Sequence, residues 1–98
     1  MAFAFLIEPP SMTAAQYDEI MRGLDAAGAG SPAGRLFHAC FGSGDHLRIL
    51  DIWESRESLD AFVESLLRLP GEWEGLDPGE PETGTLHNVI VGRAPVAV

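Results

Sequence analysis

The sequence predicts an α+β fold in which four strands and two helices follow one another in the order β-α-β-β-α-β. Two segments repeat apolar residues at helical spacing, and each begins with a capping residue. The other apolar segments are short and are bounded by Gly, Pro, Ser or Asp, as strands are. This order is typical of the ferredoxin-like arrangement, a four-stranded antiparallel sheet with two helices on one face. At 98 residues, the chain is expected to form a single domain, residues 1–98.

The first strand is predicted over residues 2–8, where both faces are apolar. The first helix is predicted over residues 14–27. Thr13 is its N-cap, and a glutamine three residues on completes a capping box. Met12, before the cap, is positioned to contact Tyr17 as a hydrophobic staple. The core-facing stripe of this helix is predicted to comprise Tyr17, Ile20, Met21 and Leu24.

Residues 35–41 and 47–53 are predicted to form a β-hairpin around a two-residue turn, Ser-Gly. In that register His38 lies opposite Ile49, and Asp51 lies diagonal to His38 on the same face. A register change of one residue would exchange the faces of one strand. One face is predicted to carry Leu36, His38, Cys40, Leu47, Ile49, Asp51 and Trp53, and the other Arg35, Phe37, Ala39, Phe41, Arg48, Leu50 and Ile52.

Ser55 is predicted to cap the second helix, whose apolar residues follow helical spacing as far as Leu67 and which Pro70 ends. Residues 70–84 carry five acidic and no basic side chains. This loop is long for a small domain, so it is predicted to be either a lid over a pocket or a solvated segment. As a lid, it would favour neutral or aromatic substrates over anionic ones. The last strand is predicted over residues 85–91.

The composition argues against several classes of partner. The chain has 15 acidic and 6 basic residues, a net charge of -9, which disfavours nucleic acid and anionic membranes as partners. No stretch approaches the roughly 20 apolar residues of a membrane span. Cys40 has no second cysteine to pair with, so the cytoplasm is the expected location. The three histidines lack metal-ligand spacing, and neither a metal nor a cofactor is expected.

The strands indicate a partner of another kind. Two helices can cover only one face of a four-stranded sheet, whereas these strands are apolar on both faces. A monomer would expose an apolar patch larger than soluble proteins usually carry. We therefore predict a homodimer in which the two sheets pack face to face as a barrel.

With these elements, the chain resembles the dimeric α+β barrel superfamily, in particular its branch around the antibiotic-biosynthesis monooxygenases. The resemblance rests on LFHA (36–39), ILDIWESRESLDAF (49–62) and LHNVIV (86–91). It implies a pocket in each subunit between the sheet and its two helices, used in the superfamily for cofactor-free oxidation of phenolic polyketides, haem degradation, isomerisation, cyclisation or ligand binding. Quinone-forming members place an Asn and a Tyr where this chain has Ile49 and Leu59. Haem-degrading members use an Asn and a His that this chain lacks in those places.

His38 and Asp51 are the candidate catalytic residues. A buried carboxylate needs a partner, and one that orients an imidazole makes it a general base near neutral pH. Trp53, His87 and Tyr17 are predicted to line the substrate pocket. Three of these candidates also have a structural interpretation: His38 as a core histidine satisfied by a neighbour, Trp53 as a residue that fills the core, and Tyr17 as a tyrosine that packs on Met12 alone.

Three functions are consistent with these patterns. The first is a cofactor-free enzyme acting on a hydrophobic aromatic or polyketide-like substrate: a monooxygenase if oxygen enters the product, and a cyclase or isomerase if it does not. The second is a non-catalytic dimeric module that binds a small ligand or serves as an accessory subunit. The third is a structural dimer whose cavity is filled by side chains.

Overall fold

A computed structural model describes residues 1–44, 46–68 and 77–92. The described residues contain the elements in the predicted order, and the strands form one antiparallel sheet with the order β2-β3-β1-β4. This is the ferredoxin-like α+β arrangement, so the predicted fold class is confirmed. The elements are β1 (Phe3–Ile7), α1 (Ala14–Ala26), β2 (Arg35–Ser43), β3 (His46–Trp53), α2 (Arg56–Leu67) and β4 (Glu82–Thr85).

Both helices begin where their capping residues predict. The Thr13 hydroxyl accepts a hydrogen bond from the Gln16 N–H at 3.1 Å, and the Gln16 side-chain oxygen accepts one from the Thr13 N–H at 2.9 Å. This reciprocal pair satisfies two backbone donors that the first turn of α1 leaves free. At α2, the Ser55 hydroxyl accepts from the Ser58 N–H at 3.2 Å. Neither helix is long and apolar enough to cross a membrane, within the described part of the chain.

The register of the β2–β3 hairpin differs from the predicted one by two residues. His38 lies directly opposite Asp51, and the pairing of Ser43 with His46 leaves two residues for the turn. Gly44 is the first of them and has a φ of 62°, which suits the left-handed position of a tight hairpin turn. The predicted turn is therefore displaced by one residue. Because the register changes by an even number, the side chains beyond the turn keep their predicted faces.

A β-bulge in β2 reverses the faces at the start of that strand. Arg35 pairs with Trp53 and Phe37 pairs with Ile52, so Leu36 is an additional residue without a partner in β3. As a result, Arg35 faces the helices and Leu36 is 55% exposed. The predicted faces of Arg35 and Leu36 are therefore wrong. The remaining residues of β2 keep the predicted alternation.

The predicted last strand, residues 85–91, is also wrong, because β4 spans Glu82–Thr85. Its last residue pairs with Phe3, and one further bond runs from the Leu86 N–H to the Ala2 carbonyl at 3.0 Å. Since β1 begins at Phe3, the ladder offers no partner to the residues that follow Leu86. The apolar segment after this point leaves the sheet.

The core lies between the helices and one face of the sheet. Ile20 and Leu24 of α1 form a buried cluster with Met12, which precedes the helix cap, and with Leu47 of β3. The loop predicted over residues 70–84 ends too late, because residues 82–84 belong to β4. Residues 70–76, with Trp73, lie outside the described residues, and the role of this loop as a lid remains a prediction.

Candidate active site

A cavity of about 420 Å³ lies between the sheet and the two helices. Small-molecule sites commonly have volumes of roughly 300–1,000 Å³, so the cavity is large enough for a substrate. Four polar or charged side chains reach its wall: Tyr17, Arg35, His38 and Asp51. The rest of the wall is mainly apolar and includes Phe5, Ile7, Ile20, Leu24, Phe62 and Leu66.

The predicted pair of His38 and Asp51 is in direct contact. The Nδ1 atom of His38 lies 2.5 Å from Oδ1 of Asp51, which is 6% exposed. The second carboxylate oxygen, Oδ2, accepts a hydrogen bond from Nε1 of Trp53 at 3.3 Å. Both oxygens of this buried carboxylate therefore have a donor, which a buried charge requires.

Tyr17 of α1 forms a hydrogen bond with the other ring nitrogen of His38, Nε2. Its hydroxyl oxygen lies 2.5 Å from Nε2, and the two rings are nearly parallel, with an angle of 4° between their planes. The indole N–H of Trp53 can only donate, so Asp51 is the acceptor there. With His38 neutral, Nδ1–H donates to Asp51 and Nε2 accepts from the Tyr17 hydroxyl. The result is a hydrogen-bonded line from α1 through β2 to β3.

The phenol of Tyr17 has a raised pKa of about 12. Burial is the largest cause, and Cys40 also raises the pKa; Arg35 lowers it, while Asp51 and Asp18 act in the raising direction. A phenol with that pKa is neutral across the physiological range. Tyr17 therefore has a proton to donate in its hydrogen bond with Nε2 of His38.

Arg35 is a residue of the site that sequence reasoning missed. Its guanidinium lies over the ring of Phe62, 5.7 Å from the centroid, and Nη2 donates to the Gly30 carbonyl at 3.0 Å. The bulge at Leu36 turns it toward the cavity, and no residue from Arg35 to Phe37 is a glycine or proline that would indicate a bulge in the sequence.

Two predicted pocket residues do not lie on the wall of this cavity. Trp53 is fully buried, at 0% exposure, and packs on Phe62 with 5.4 Å between ring centroids. Its indole N–H contacts the site by donating a hydrogen bond to the carboxylate of Asp51. His87 is exposed and lies beyond β4, because the strand predicted to carry it ends earlier.

Cys40 and the remaining histidines add no further reactive group to the cavity wall. Burial raises the pKa of the Cys40 thiol, with a further contribution from Asp18, so this side chain stays protonated and packs beside the core. Across residues 1–44, 46–68 and 77–92, no three His, Cys, Asp or Glu side chains are grouped so as to hold a metal ion.

Comparison with known proteins supports the fold. The chain is similar to a crystal structure from Chloroflexus aurantiacus assigned to the antibiotic biosynthesis monooxygenases, with 20% identity, a TM-score of 0.54, and coverage of 96% of this chain and 98% of the other. A monooxygenase of Streptomyces coelicolor in complex with Nanaomycin D aligns with 19% identity and a TM-score of 0.46, over 94% and 92% of the two chains. No model of a protein family and no curated protein matches the chain.

The first of these likenesses confirms the fold that the sequence resemblance implied: an α+β domain of the architecture found among antibiotic-biosynthesis-monooxygenase-like proteins. Such folds carry several unrelated activities, so the function has to be argued from the cavity and its side chains.

Proposed function

We propose that this protein is a cofactor-independent, monooxygenase-like enzyme that acts on a hydrophobic aromatic or polyketide-like substrate. His38, held by Asp51, is the general base, and Tyr17 contacts the substrate. The observation that carries this proposal is the hydrogen-bonded line of Tyr17, His38 and Asp51 on the wall of a largely apolar cavity. An imidazole oriented by a carboxylate is suited to removing a proton near neutral pH.

The geometry supports a proton relay through Tyr17. The hydroxyl of Tyr17 gives its proton to Nε2 of His38 and takes the proton of a substrate phenol or activated carbon. Because both transfers occur together, no free tyrosinate forms, which agrees with the high pKa of this phenol. Asp51 stabilises the imidazolium that results, and Trp53 fixes the carboxylate.

The oxidation would then proceed without a cofactor. The deprotonated substrate gives electrons to O2, one oxygen atom enters the product as a carbonyl, and the other leaves as water. Two hydrogen atoms of the substrate are consumed in that water, so the reaction balances with O2 as the only oxidant.

A non-redox cyclase or isomerase is the second candidate, and one observation favours it. The cavity wall is apolar at Ile49 and Leu59, the two positions where the sequence resemblance places the Asn and Tyr of quinone-forming proteins. The same base would serve this chemistry, since it needs only proton removal and return. A ligand-binding or accessory module is the non-catalytic alternative.

Incubation with a hydroxylated anthrone in air distinguishes these functions. A monooxygenase consumes O2 and forms a quinone, an isomerase or cyclase forms an isomer or cyclised product without O2 uptake, and a binding module forms no product. We expect His38→Ala to lower turnover by about 100-fold or more, as loss of a general base does. His46→Ala is the matched control, because His46 is exposed at the start of β3, away from the cavity wall. Undiminished turnover in His38→Ala would remove the proposed base.

We further propose that the functional unit is a homodimer in the cytoplasm. Phe37 and Phe41 on the helix-free face of the sheet are 36% and 45% exposed, a pattern that a second sheet would cover. The cysteine content of the chain is compatible with a reducing compartment.

A further inference from the structure

Arg35 places a permanent positive charge at the cavity. The side chain lines the wall together with Tyr17, His38 and Asp51. A guanidinium remains charged at any physiological pH and offers five N–H donors. A cation on a largely apolar wall requires a local reason, because taking a charge out of water is costly.

The partners of Arg35 do not neutralise its positive charge. One N–H donates to the Gly30 carbonyl, and the ring of Phe62 lies beneath the guanidinium. Among the described residues, no carboxylate lies within ion-pair distance of it.

The arginines of the two helices contrast with this arrangement. Each lies on the surface beside a carboxylate one helical turn away. The pairs are Arg22 with Glu19, Arg56 with Asp60, and Arg68 with Glu64.

The nearby carboxylate is already engaged. Asp51 accepts hydrogen bonds from His38 and Trp53 at its two oxygens and forms no ion pair with Arg35. Arg35 therefore lines the cavity with a backbone carbonyl and an aromatic ring as its partners, and without an ion pair among the described residues.

We infer that the substrate carries an anionic oxygen, which Arg35 binds. This inference rests on the proposed function, since it takes the cavity as the substrate site. The oxygen belongs either to a carboxylate or to an ionised phenol or enol. An anionic substrate differs from the expectation that an acidic lid favours neutral substrates.

Removal of a proton creates a charge that the contact between Arg35 and the substrate would stabilise. When a proton passes from the substrate through Tyr17 to His38, a negative charge remains on the substrate oxygen. An apolar cavity disfavours an unpaired anion, and a fixed guanidinium offsets that cost. Arg35 would thus bind an anionic substrate and stabilise the charge that the base creates.

Binding of matched naphthalene ligands tests the inference without requiring turnover. Calorimetry would compare 2-naphthoate with the uncharged 2-naphthamide, and 2-naphthol below and above its own ionisation. We expect the anionic form to bind about tenfold or more tightly than the neutral one, as a charge-assisted contact provides. Preference for naphthoate identifies a carboxylate, and tighter binding only on ionisation of naphthol identifies a phenolate.

Arg35→Met should abolish the preference while leaving binding of 2-naphthamide within about twofold. Arg35→Gln keeps a donor for the Gly30 carbonyl and serves if the methionine variant does not fold. Arg22→Met is the control, because it removes an exposed arginine from α1. Equal binding of anionic and neutral ligands, or an unchanged preference in Arg35→Gln, would overturn the inference.

The result separates this inference from the proposed function. If no naphthalene ligand binds the wild-type protein, both fail. If the ligands bind without preference for an anion, only the role of Arg35 fails. If the preference is present but His38→Ala retains full turnover, the anion site remains and the proposed base is wrong.

Discussion

Tyr17, His38 and Asp51 come from three different elements, and each holds the next at hydrogen-bond distance. Trp53 ends the line as a donor to the carboxylate. Because a buried carboxylate without donors is costly, the indole and the imidazole stabilise Asp51 as well as orient it. The reactive nitrogen of His38 then points to the phenol of Tyr17, which faces the cavity.

The ionisation of Tyr17 is a direct test of this arrangement. Tyr17 is the one tyrosine of the chain, so the ultraviolet absorbance of phenolate reports on this residue alone. We expect the native protein to titrate near pH 12, against 10.0 for a free phenol, because burial disfavours the charged form. The same protein unfolded in guanidinium should titrate near the ordinary value. Identical curves for the native and unfolded protein would contradict the buried hydrogen bond.

The sign of the effect on stability follows from the raised pKa of Tyr17. The folded protein holds the phenolic proton more tightly than the unfolded chain does. Its contribution to the free energy of unfolding is therefore complete below the unfolded pKa of 10.0 and is lost as the pH rises toward about 12. Tyr17→Phe should remove this alkaline dependence.

At the scale of elements, the helices and the faces of the hairpin beyond Leu36 were predictable, whereas strand pairing was not. Capping residues and periodic apolar positions mark a helix locally, so α1 begins at Ala14 as expected. The hairpin register depends on which residues form the turn, and a two-residue error kept His38 and Asp51 on one face.

The two larger errors arise from contacts between distant segments. The bulge at Leu36 depends on how β2 fits β3, and it brought Arg35 to the cavity. The end of β4 depends on where β1 begins, and it left His87 outside the sheet. The residues of β2 do not by themselves indicate how β2 aligns with β3, and those of β4 do not indicate where β1 begins.

At the scale of the whole molecule, one face of the sheet has no covering layer in the described chain. We expect sedimentation at micromolar concentration to give a species of twice 10.5 kDa. Phe41→Glu should shift it toward the monomer, because a charge replaces an aromatic ring on the proposed interface. Ala61→Glu, on the exposed surface of α2, should leave the dimer intact. A wild-type monomer at these concentrations would contradict the proposed assembly.

As the proposed general base, His38 removes a proton, through Tyr17, from a molecule bound in the cavity. Deuterium exchange at the activated carbon of a hydroxylated anthrone, followed by NMR in heavy water without O2, measures that step apart from any later oxidation. We expect the wild-type protein to accelerate exchange and His38→Ala to reduce the acceleration by about 100-fold or more. Exchange at the wild-type rate in His38→Ala would contradict the role of His38 as the base.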